Sequence, residues 1–135
     1  MNRLNRKVEY SLMALKHMAQ KQPGQLTTAK EVADSYHAPF DATARVMQLM
    51  AQNGLLKVEL GAFGGYQITK DLSKVTMLDL IQLVQGPTKI AKCISKDEPC
   101  EIQPMCNIMS PVTNLNTRLN EFYQNLSLKE LLFKQ

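Results

Sequence analysis

No window of this 135-residue chain approaches the roughly 20 apolar residues that a membrane-spanning helix needs. Arg3, Arg6, Lys7, Glu9 and Lys16 break up the N-terminal segment, so it lacks the uninterrupted apolar stretch of a secretory signal. A cytoplasmic protein without a membrane partner is therefore expected. Catalytic patterns are missing as well: there is no Ser-His-Asp arrangement, no histidine pair at zinc-protease spacing, and no carboxylate pair in an evident cleft. The glycines of GAFGG are not followed by Gly-Lys-Ser/Thr, and a strand comes after them where a phosphate-binding loop requires a helix. An enzyme is not expected.

Cysteine is scarce, and its placement is informative. Cys93, Cys100 and Cys106 are the chain's three cysteines, and all fall in one polar, proline-bearing stretch, CISKDEPCEIQPMC. An odd number cannot close into disulfides within one chain, and buried structural cysteines scatter over apolar elements instead of gathering in a loop. In a reducing compartment such a group reads as metal ligands or redox-active thiols. Three thiolates are one short of a closed zinc or cluster site, so free loop thiols remain an open alternative. The net charge of +4 and pI near 9.0 are compatible with a nucleic-acid partner without establishing one.

The length fits a single domain with a real core. Val8, Leu12, Leu15 and Ala19 recur at helical spacing up to the Gln22-Pro23-Gly24 turn. Thr28 and Glu31 have capping-box spacing ahead of a short second helix with Val32 and Tyr36 inward. Ala38 precedes Pro39 and is pushed out of the helical region, and Asp41 is the expected N-cap of a third helix through Ala44, Val46, Met47 and Met50. Asn53-Gly54 ends that helix. LLKVEL and YQIT around GAFGG then predict a β-hairpin, or wing. Thr76 and Asp79 cap MLDLIQLVQG, and Gly86-Pro87 stops it. Past the cysteines, Val112, Leu115, Leu119, Phe122 and Leu126 keep heptad-like spacing over about 111–125, a stripe read as a dimerisation helix. Leu128, Leu131 and Leu132 are expected to face inward in a last helical turn or two.

The expected fold is mainly α with a small β-hairpin: a winged helix-turn-helix over 1–86 with a supporting helix at 76–86, a cysteine loop over 87–110, and a dimerisation helix with a C-terminal turn over 111–135. A helical hairpin of this kind places its second helix in the DNA major groove. Thr43 and Arg45 are the main candidate contacts, with Gln48 one turn later; Lys57 in the wing and Thr28 and Lys30 at the second helix's start are candidates for phosphate.

The opening RLNRKVEYSLMAL, the wing NGLLKVELGAFGGYQIT, LDLIQLVQG, the three-cysteine loop and the closing LNEFYQNLSLKELL, in that order, resemble the dimeric winged-helix regulators typified by IscR and NsrR. The resemblance spans essentially the whole chain. It implies a homodimer on a palindromic operator in double-stranded DNA and an iron-sulfur cluster on Cys93, Cys100 and Cys106 as the sensor. Met109 stands where IscR-like members place a ligand histidine, whereas Glu9 matches the N-terminal carboxylate ligand of NsrR, which the resembled arrangement takes from the opposite subunit. Glu9 is accordingly the expected fourth ligand, and a 4Fe-4S cluster is favoured over 2Fe-2S. In this family an arginine of the wing enters the minor groove; here that position is Leu60. The function implied is a repressor sensing nitric oxide, redox state or iron availability. Two alternatives stay open: a cluster-free regulator controlled by thiol oxidation or a protein partner, and an iron-sulfur storage or interaction module.

Overall fold

The computed structural model describes residues 4–86 and 101–134. Helix α1 (Arg6–Ala19) starts at Asn5, whose side chain accepts from the Lys7 amide, and buries Val8, Ser11, Ala14, Leu15 and Met18. The inward stripe is therefore rotated from the expected one: Leu12 is half-buried and Ala19 is exposed, while Ala14 and Met18 enter the core. Helix α2 (Ala29–Tyr36) has Thr28 as its N-cap, its side chain accepting from the Glu31 amide. His37 closes it in the left-handed conformation, φ 54°.

Helix α3 (Phe40–Gln52) begins two residues earlier than expected. Pro39 is the N-cap and supplies no side-chain bond, so Asp41 lies inside the first turn and does not cap. Proline's fixed φ suits a helix entrance without help from a carboxylate. At the far end Gly54 takes φ +80°, as the Asn53-Gly54 signal required. Strands β1 (Leu56–Glu59) and β2 (Gly65–Ile68) pair antiparallel, with Leu56 opposite Ile68 and Glu59 opposite Gly65. Thr27 adds an isolated bridge to β2: its amide donates to the Tyr66 carbonyl at 3.0 Å and the Tyr66 amide donates back at 2.8 Å. The wing and the entrance to α2 are thus one hydrogen-bonded unit.

A short 3-10 turn, Leu72–Lys74, leads to helix α4 (Met77–Gln85), where the Thr76–Asp79 capping box is complete in both directions. Met77, Leu80, Ile81 and Val84 of α4 join Leu15, Val32, Val46, Met47, Met50, Leu55 and Leu128 in one continuous core. Helix α5 (Met109–Gln124) packs against α4, and helix α6 (Leu128–Phe133) returns to the 3-10 turn. Leu126 departs from the dimer stripe: it lies beyond the end of α5, packs on the core, and its carbonyl accepts from the Met77 amide at 2.8 Å. In α6 Leu128 is buried and Leu132 packs on the core, but Leu131 is 40% exposed. No helix of the described residues is long and apolar enough to cross a membrane.

Candidate nucleic-acid interface and cysteine segment

The second helix of the helical hairpin presents a mixed outer face. Arg45 and Gln48 are exposed on α3, as expected for side chains offered to a groove. Thr43 is not: it is completely buried, and its hydroxyl donates to the Pro39 carbonyl at 2.8 Å. That bond satisfies an otherwise unpaired polar atom in the interior, and it removes Thr43 from the candidate contacts. Phe40, at the start of α3, is 52% exposed beside these positions. Periodicity gave no reason to single it out, because an apolar residue at a helix start usually points inward.

Thr28 is exposed but its hydroxyl is occupied as the α2 cap. Lys30 is exposed and donates to Asp34 at 2.8 Å one turn on, which raises its pKa. Lys57 stands on β1, 4.0 Å from Glu59 and largely solvated. Both lysines share their charge with a nearby carboxylate, so their phosphate attraction is reduced.

Between α1 and α2 lies a network that spacing did not reveal. His17 approaches the Tyr36 hydroxyl through Nδ1 at 2.6 Å and the Glu31 carboxylate through Nε2 at 2.5 Å, and the Lys21 ammonium donates to the same carboxylate at 2.6 Å. The two ring nitrogens thus tie Tyr36 and Glu31 of α2 to α1, with their donor and acceptor roles following from the ring's tautomer. Tyr36 is consequently held by its hydroxyl, with 42% of its surface exposed, instead of entering the core. Glu31 is also diverted from the reciprocal half of its capping box. Burial pushes the Glu31 carboxyl upward, but hydrogen bonds from Lys21 and His17 outweigh it and leave the pKa below its ordinary 4.5. A depressed folded-state pKa contributes stability above the unfolded value that is lost as pH falls through the folded one. Glu31→Gln is therefore expected to flatten the part of the urea-stability profile below about pH 4.5; a parallel loss at every pH would contradict the network's electrostatic role.

Cys106 is half-buried, unpaired, and sits three residues ahead of the start of α5. Cys93 and Cys100 lie outside the described residues. Glu9 is half-exposed and accepts from Arg6 of its own helix at 3.1 Å. Among the described residues no group of three or more His, Cys, Asp and Glu converges. On α5 the expected dimer stripe divides in two: Leu115 and Phe122 are 50% and 63% exposed, whereas Val112 and Leu119 are half-buried. Ile108, the N-cap of α5 and outside the expected stripe, is 55% exposed, seven residues before Leu115, and Asn116 is buried.

A helical hairpin with an exposed arginine on its second helix, closed by a two-stranded wing, has the winged-helix arrangement. Residues 4–134 match the Rrf2 family, described as an iron-dependent transcriptional regulator. The chain belongs to that family. It is a transcription regulator and not an enzyme. NsrR of Bacillus subtilis, an HTH-type transcriptional regulator, is 23% identical over 107 residues, covering 78% of this chain and 73% of that protein. The structure of CymR (YrzC), the global cysteine regulator of B. subtilis, superposes with a TM-score of 0.75 at 21% identity, covering 100% of this chain and 99% of that one. T. potens IscR gives a TM-score of 0.70 at 18% identity over 97% of this chain and 86% of that one. Membership in this family replaces the storage-module alternative.

Proposed function

We propose that this regulator is a homodimeric repressor on a palindromic operator, and that an iron-sulfur cluster on Cys93, Cys100 and Cys106 sets its affinity. The carrying observation is the position of Cys106. Its unpaired, half-buried thiol immediately precedes the helix whose outer face is bare, so whatever binds the thiol acts at the root of the dimer contact. The donor set fits a cluster, because thiolates are soft ligands and the described thiol is in no disulfide. Bound there, a 4Fe-4S cluster would supply thiolate bonds that nitric oxide, oxidant or iron shortage removes. Glu9 of the partner subunit is the proposed fourth ligand, and taking that role requires it to release Arg6. The chain's own residues do the rest: the cysteine segment restrains α5, α5 sets the spacing of two copies of α3, and that spacing selects the operator.

On the DNA, Arg45 reads a base edge with its guanidinium, Gln48 assists from one turn on, and Lys30, Lys57 and the Thr28 region neutralise phosphate. Arg45→Ala is expected to weaken binding to a duplex selected by the parent protein by about 1–3 kcal/mol and to relax preference at one base pair per half-site. Equal loss on all sequences would instead make Arg45 a phosphate contact. A second reading keeps this interface and drops the cluster, with thiol oxidation or a protein partner exerting control. Two observations favour it: Glu9 already has an ion-pair partner in its own helix, and the fold superposes closely on CymR. Iron and sulfide content separates the readings.

A further inference from the structure

Among the described residues, the two most exposed large apolar side chains both belong to the turn between β1 and β2. Leu60 is 91% exposed and Phe63 is 95% exposed, with Val58 at 47% below them on β1. The tip that carries them is a tight bend. The Gly64 amide donates to the Gly61 carbonyl at 3.1 Å, Gly61 takes φ +120°, and a Cβ on Gly64 would lie 2.3 Å from the Glu59 carbonyl oxygen. Side chains at both glycine positions are therefore disfavoured, and the bend holds Leu60 and Phe63 outward.

Resting on the DNA-binding reading above, we infer that Leu60 and Phe63 form an apolar wedge that enters the minor groove beside the major-groove site of α3. Three observations select this occupant. The wing shares a frame with the hairpin: β1 packs on α3, and β2 is bonded to Thr27, the residue before the α2 cap. A tip projecting from that frame stays in register with whatever α3 reads. Exposed Lys57 and Lys70 lie at the base of the wing, one on each strand side, where phosphates flanking a groove would pass, although Glu59 offsets part of the Lys57 charge. Finally, one leucine and one phenylalanine are too little for a stable protein partner. A standard protein interface buries about 800 Å² per side, whereas side chains of this size bury on the order of 200 Å² each. A minor groove about 6 Å wide accepts a narrow tip, and inserted apolar side chains partly unstack a base step and bend the duplex.

The test compares the parent dimer with the Leu60→Ser/Phe63→Ser double variant and with Phe63→Leu. All are measured on the duplex that the parent selects from a random-sequence pool, by titration and by hydroxyl-radical footprinting. Both sites being exposed, the thermal midpoints should coincide. The double variant should bind on the order of tenfold or more weaker, as expected for losing burial of two apolar side chains, and should lose protection at the minor groove flanking each α3 site. Phe63→Leu should retain both. Unchanged affinity and footprint in the double variant would overturn the wedge while leaving the DNA-binding reading intact. If the parent selects no duplex at all, that reading fails and the wedge with it. Unchanged DNA binding accompanied by a changed oligomeric state would assign the tip to protein contact and equally overturn the proposal.

Discussion

Replacing Leu115 and Phe122 together by glutamate is expected to convert the proposed dimer into a folded monomer and to weaken operator binding by about two orders of magnitude or more. The two side chains are 50% and 63% exposed in the isolated chain, so charging them costs the subunit little. In a symmetric dimer the same change places four carboxylates on one apolar seam, where desolvation and like-charge repulsion act together. Operator affinity then falls for a separate reason. Two linked recognition helices gain on the order of 10² to 10⁴ over one through effective concentration, and a monomer forfeits that gain. Sedimentation velocity with operator titration checks both parts. A variant that stays dimeric would move the interface away from Ile108, Leu115 and Phe122.

The second large effect concerns control. Cys106→Ala should leave a folded dimer, because the thiol is half-buried and its removal opens no core cavity. Iron should be lost, and operator affinity should stop responding to nitric oxide. The parent should shift its operator affinity on treatment, and the variant should bind with the parent's treated affinity throughout. An anaerobic operator titration of both proteins before and after nitric oxide reads this directly. If the variant responds as the parent does, Cys106 is not a ligand.

Much of the fold could be read from local chemistry. Thr28, the Thr76–Asp79 box and Gly54 each act where their spacing placed them, because caps depend on a few neighbouring backbone groups. The winged helix and its hairpin followed from turn signals and alternation. The departures have two causes. One is local: Asp41 has a cap's residue type, but Pro39 already starts the helix. The others depend on how the helices pack. Leu126 fits a heptad, yet the chain turns at Asn125 and the side chain finds the core beside α4. Thr43 looked like a groove contact because its residue type suits one, and only the packing of α3 shows that it faces inward.

The candidate site was legible in the same uneven way. Arg45 and Gln48 are on the surface as a helical period implies, and the outer half of the α5 stripe is bare. The His17–Glu31–Lys21–Tyr36 network joins residues 14 and 19 positions apart, beyond any capping or helical spacing rule. The wing tip was visible in outline, since Leu60 stood where the resembled family has arginine. Its consequence needed the geometry that holds Leu60 and Phe63 outside every core contact.

If Cys93, Cys100 and Cys106 hold a cluster as proposed, the protein purified anaerobically and weighed intact under non-denaturing conditions should be a dimer carrying four irons and four sulfides per subunit, the content of a 4Fe-4S cluster. A metal-free dimer isolated anaerobically from iron-replete cells would contradict the proposal.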